Sequence, residues 1–194
     1  MNTKTLALII IFAALTIALN LAGPKIPAPY APFLYYQIWE IPIVIAFLVL
    51  GPKSGLIISI INTVILLIVF PGALPLGPLY NLIAVLSMLI GVYAAYRIAT
   101  RGHETEDLSS FLRDHVKMIS VSATGLGITL RVAVTTFTNY FLLQQSPPVG
   151  FSYSSQAALA FLPLSAIFNG TVALYTIPIA LAVSVAVVSR FKIK

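Results

Sequence analysis

Charge is missing from most of this 194-residue chain: residues 5–24, 26–39, 41–52, 54–96, 118–130 and 132–189 contain no Asp, Glu, Lys or Arg. Stretches like these leave nothing with which to cover a water-facing surface. Charged residues amount to 8% of the chain and hydrophobic ones to 59%, whereas a soluble domain is roughly 25% charged. The chain is therefore expected to be an integral membrane protein. A soluble enzyme domain and a disordered segment are excluded. So is nucleic acid as a partner, because a net charge of +6 is too dilute for a phosphate-binding face. With no Cys in the sequence, disulfides, thiolate metal sites and thiol chemistry are excluded as well.

A spanning helix needs about 20 mostly apolar residues, so the run 54–96 holds two spans, parted by the breakers from Pro71 to Pro78. The run 132–189 breaks at Gln144–Gln156, which contains Pro147, Pro148 and Gly150. The fold class expected is an all-α membrane protein with six transmembrane helices, over 5–22, 34–50, 54–70, 78–99, 116–143 and 157–189, in one domain spanning 1–194. Pro24–Pro32 reads as a rigid, extended connection before the second helix. The last helix is long enough to tilt, or to bend at Pro178. With the N-terminus inside, Lys4, Lys53, Arg97, Arg101, Arg113, Lys117, Arg190, Lys192 and Lys194 are cytoplasmic and only Lys25 lies outside. That bias follows the positive-inside rule and places both termini in the cytoplasm. Lys4 and the apolar run after it have the shape of a signal peptide, but no A-x-A cleavage site follows, so the run reads as a retained helix. The polar segment Arg97–Lys117 carries both His, and a short interfacial helix is expected over 107–115.

Motifs of enzymes are missing. Gly51-Pro-Lys-Ser-Gly resembles a phosphate-binding loop only in its letters. His103-Glu-Thr-Glu lacks the second His of H-E-x-x-H, and neither His103 nor His115 falls inside a membrane span where it would serve as a base. Polar groups within the spans carry the information. An intramembrane Arg costs about 2.5–3.5 kcal/mol and so faces a partner or a polar cavity. Arg131 lies about 21 Å from the inner boundary at ~1.5 Å per residue, in the outer half. Thr124, Arg131, Thr135 and Thr138 share one helix face, with Asn139 beside that stripe. Glu40 opens the second helix at the outer side beside Trp39, after Tyr30, Phe33, Tyr35 and Tyr36. Asn81 starts the fourth helix, and Asn169 lies within the sixth with Ser165 and Thr176 on its face. These groups are expected to line one outward-opening pocket, with the first-loop aromatics as a cover able to stack on a planar ligand. Two alternatives stay open on spacing alone. Arg131 and Glu40 either pair with each other or contact ligand, and the aromatics either cover a site or form an interfacial belt. Asn62 reads as a residue bonding a neighbouring backbone.

Ala7, Ala14, Ala18 and Ala22 form a strip of small residues on the first helix, where another helix can approach closely. The strip suits either an internal seam or a partner surface.

Taken in order along the chain, these features resemble the substrate-binding membrane subunits (S components) of energy-coupling factor, or ECF, vitamin transporters. Ala14-x-x-x-Ala18-x-x-x-Ala22 is similar to the alanine-rich first helix by which that family docks on its coupling subunit. Among the family's members, the riboflavin-type subunits are nearest. Glu40-Ile-Pro42 and Gly51-Pro-x-x-Gly55 resemble their Asp-Ile-Pro…Gly-Pro-x-x-Gly segment, and Leu79-Tyr-Asn81, Tyr93–Arg97, Asn139-Tyr-Phe141 and Phe168-Asn169 look similar too. The chain departs from that pattern at Glu40, at Gly170-Thr-Val, where a Lys is usual, and at Arg131. Biotin-type subunits share the proline-rich first loop, and an Arg suits a ligand carboxylate. The resemblance implies a non-enzymatic subunit with no covalently held cofactor, capturing a vitamin-like small molecule such as riboflavin from outside. Its partners would be a transmembrane coupling subunit and two ATPases on other chains. The candidate substrate-binding residues, taken from their places in and beside the spans, are Tyr36, Trp39, Glu40, Asn81, Arg131, Thr135, Asn139 and Asn169. A stand-alone facilitator and a structural assembly subunit are the competing classes. The first lacks the internal repeat expected of transporter halves, and the second would show no ligand.

Overall fold

Local chemistry marks where each helix begins and ends in the computed structural model, which describes residues 2–69, 74–100 and 115–190. The Asn2 side chain accepts the Thr5 backbone N–H at 2.8 Å and starts α1, Thr3–Ala22; Gly23 and Pro24 end it. An antiparallel hairpin follows, β1 at Ile26–Ala28 and β2 at Ala31–Tyr36, with Ile26 opposite Tyr36. The chain then forms α2 (Glu40–Leu50), α3 (Pro52–Val69), α4 (Gly77–Ala99), α5 (Val116–Leu142) and α6 (Ser155–Arg190).

Six helices are thus present among the described residues, and five of them are long and apolar enough to cross a membrane. The expectation over 34–50 needs a correction at its start. Residues 31–36 are paired in the hairpin, and α2 begins only at Glu40. Pro27, Pro29 and Pro32 keep this stretch out of helical geometry, as the extended reading anticipated. The helix expected over 107–115 lies outside the described residues except for His115, which precedes α5. The last helix runs through both Pro163 and Pro178 as one 36-residue element.

The short α2 is the core of the molecule. Its residues from Pro42 to Phe47 are all buried, and it packs against α1, α3 and α6. The corner into α3 depends on glycine. Gly51 has φ +98°, a conformation L side chains rarely adopt, and Pro52 then supplies the first residue of α3. A Cβ on Gly55 would lie 2.7 Å from the Phe47 Cβ, so the second glycine lets the two helices close on each other. The Gly-Pro-x-x-Gly segment is thereby a packing device.

On the other flank α5 lies along both α4 and α6. A Cβ on Gly91 would come within 2.5 Å of the Leu126 carbonyl oxygen and 2.7 Å of the Gly127 Cα, both rigid backbone. Gly91→Ala is therefore expected to force the two helices apart and destabilise the protein by about 1–3 kcal/mol, the usual cost of overpacking. Gly125→Ala, with nothing within 4 Å of the added atom, should not destabilise it. Thermal unfolding of the two detergent-purified variants checks this; equal melting temperatures would refute the crossing as described.

Candidate functional site

The polar residues of the spans form a connected ladder. The Arg131 guanidinium on α5 donates to the Glu40 carboxylate through two nitrogens, Nη1 to Oε2 and Nη2 to Oε1, the latter at 2.9 Å. Its Nε donates to the Asn169 Oδ1 at 3.0 Å, and the Met88 sulfur lies 3.5 Å from Nη1. Asn169 Nδ2 donates to the Ser165 carbonyl at 3.0 Å, and Asn139 Nδ2 donates to the Ser165 hydroxyl at 2.6 Å. Glu40, Arg131, Asn169, Ser165 and Asn139 thus join α2, α5 and α6. Glu40 and Arg131 are 4% and 3% exposed, so this is a buried, bidentate pair with the Arg131 Nε also engaged.

Of the two readings the spacing left open for Arg131, the geometry shows the pairing. It also corrects the depth of Glu40. From Val116 to Arg131 α5 rises about 22 Å, and from Arg131 to Leu142 about 16 Å more, at ~1.5 Å per residue. Glu40 meets Arg131 well short of the C-terminal end of α5, because the preceding strand and the turn after it run along α6 from Phe161 past Phe168 to Tyr175. Glu40 lies in the first turn of α2, where the helix dipole favours a carboxylate.

Aromatic rings track this path. Phe33 stacks on Phe161 with centroids 6.0 Å apart, and Tyr36 stacks on Phe168 at 5.1 Å and 21°. The Tyr175 hydroxyl donates to the Gln37 carbonyl at 2.5 Å. Phe161, Phe168 and Tyr175 recur every seven residues on α6, a periodicity that would have revealed the docking face of the first loop. The Tyr30 and Tyr36 hydroxyls are 2.5 Å apart. Loss of hydration, then the Tyr36 hydrogen bond, pushes the Tyr30 hydroxyl up to about 12, so this contact keeps its proton throughout the physiological range.

Other expected site residues fall elsewhere. Trp39 is buried in the apolar core and is no cover. Asn81 is exposed on the first turns of α4 and makes no hydrogen bond among the described residues, so it stands apart from the ladder. Its neighbour Tyr80 is the one that bonds across, donating to the Val149 carbonyl at 2.7 Å and pinning the α5–α6 connection. Thr135 is buried, but its hydroxyl is spent on the Arg131 carbonyl one turn back, at 2.8 Å. Ser165, the joint of the ladder, carried only a same-face signal in sequence, and Met88 and Tyr175 carried none as site residues. Asn62 Oδ1 is buried without a hydrogen-bond partner among the described residues, which contradicts the backbone-bonding reading for that atom. Ala7, Ala14, Ala18 and Ala22 are all exposed, while Ile9, Ala13, Thr16 and Asn20 form the buried face of α1. The alanine strip is not an internal seam.

No family model and no curated protein matches this sequence. The fold is nevertheless similar over its whole length to the S component of a bacterial ECF transporter, with a TM-score of 0.71, 20% identical residues and complete coverage of both chains. The chain is an all-α, multi-pass membrane protein with an S-component fold.

Proposed function

We propose that this chain is the membrane-embedded, non-enzymatic substrate-binding subunit of an ECF-type transporter, capturing a vitamin-like small molecule from outside. Riboflavin or a related heteroaromatic compound is the ligand class we favour. Likeness of fold along the entire chain to a bacterial S component is the observation that carries this reading. The outward alanine strip supports a docking face for a coupling subunit, which would work with two ATPases on further chains. Energy has to come from such partners, since the sequence holds no phosphate-binding loop.

The ligand would rest on the outer end of the ladder. There Asn139 is half-buried, with its amide oxygen outside the hydrogen bonds it makes to protein, and Tyr36 and Phe168 offer stacked rings. A carboxylate-bearing vitamin such as biotin gains less support, because the guanidinium that would receive it is already bound by Glu40 and Asn169.

Titration of riboflavin into the detergent-purified protein is expected to quench flavin fluorescence at one ligand per chain, and Asn139→Ala to weaken binding at least tenfold. Mass spectrometry of small molecules co-purifying from cells would reveal a different vitamin. Absence of both quenching and any co-purified ligand would refute the reading.

A further inference from the structure

A groove of about 320 Å³ lies between the base of the hairpin and α6, lined by Pro24, Ile26, Tyr36, Ile38, Thr171 and Tyr175, with Gln37 alongside. Its walls are aliphatic and aromatic, and its rim residues Ile26 and Ile38 are 64% and 39% exposed. Its depth at the hairpin follows from α1. From Lys4 to Ala22 that helix climbs about 27 Å, at ~1.5 Å per residue. This length places the hairpin end of the groove at the outer edge of a hydrocarbon layer ~30 Å thick, and along α6 the groove continues past Asn169 to Thr171 and Tyr175.

Two polar groups at that level are uncommitted. Lys25, between Pro24 and Ile26, is exposed and makes no ion pair among the described residues. The Gln37 side-chain amide makes no hydrogen bond there either, although its backbone carbonyl accepts from Tyr175. An apolar trough, with an exposed cation between two of its lining residues and an amide in its lining, suits one kind of occupant. We propose that the groove holds an acyl chain of an anionic phospholipid of the outer leaflet, with the phosphate on Lys25 and the ester region near Gln37. The lipid would brace the hairpin against α6. The groove borders the vitamin site at Tyr36, but the proposal does not depend on the identity of the transported ligand.

Native mass spectrometry of the protein released from nanodiscs of equimolar phosphatidylglycerol and phosphatidylcholine tests it. The wild type should retain one lipid, with phosphatidylglycerol favoured roughly fivefold, the preference one surface Lys supplies. Lys25→Gln should bring that ratio to one, while Lys53→Gln, on the other side of the membrane, should leave it unchanged. Thr171→Trp fills the trough and should abolish retention of either lipid. Ile26→Glu, at a position 64% exposed, should do the same if Thr171→Trp misfolds. No lipid retained by the wild type, an undiminished preference in Lys25→Gln, or full retention in Ile26→Glu would each overturn the proposal.

Discussion

Arg131→Met is expected to cost the folded protein about 3–5 kcal/mol, the penalty for leaving a buried carboxylate without its partner. Glu40 is 4% exposed, so water cannot compensate, and the Asn169 amide oxygen loses its donor too. Glu40→Met should be comparably damaging, since it strands the guanidinium. The double variant removes both charges and should recover most of the loss, because replacing an entire buried pair by apolar groups is often neutral. Thermal unfolding of the four proteins measures the coupling; additive losses would refute the pair as a unit. Ligand titration of the double variant separates the roles. Unchanged affinity would mean that the pair only joins helices, whereas lost affinity with recovered stability would make it part of the binding floor.

The second large effect is expected on the exposed face of α1. Ala14→Leu combined with Ala18→Leu adds bulk at two exposed positions of the helix. Stability of the isolated subunit should change by no more than about 0.5 kcal/mol, as for other surface substitutions, and ligand affinity should stay the same. Uptake by vesicles containing the proposed coupling subunit and ATPases should fall to background, because a partner helix can no longer approach the strip closely. Full uptake activity would exclude the strip as the docking face. Unfolding of the isolated double variant would contradict the outward placement of these alanines.

Much of this architecture was legible in the linear pattern of charge, because lipid admits so few solutions. Helices α1, α3, α4, α5 and α6 match the expected spans to within a few residues. The start of α2 was not legible. Apolar residues from Phe33 onward fit a strand and a helix equally well, and pairing with Ile26–Ala28 decided for the strand. The ladder was legible in part. Intramembrane charge and helix-face spacing singled out Glu40, Arg131, Asn139 and Asn169, but spacing within one helix says nothing about contacts between helices. Asn81 was misplaced for that reason: being near one end of a helix does not bring a side chain to a common centre. Ser165 was overlooked as a joint because a serine in a membrane helix ordinarily bonds its own backbone.

The helices of the two flanks differ greatly in length, with α1 and α3 at 20 and 18 residues against 27 and 36 for α5 and α6. At ~1.5 Å per residue the first two measure about 30 and 27 Å, matching the ~30 Å hydrocarbon layer. The other two reach about 40 and 54 Å. Even the steepest tilts seen in membrane proteins, near 40°, leave α6 longer than the layer it crosses. Its excess must therefore stand in the headgroups or in water, or thicken the lipid around it. The α1 flank imposes no such deformation, so a partner helix meeting it finds an unperturbed bilayer. Lipids of different chain length would then act on the protein chiefly through α5 and α6.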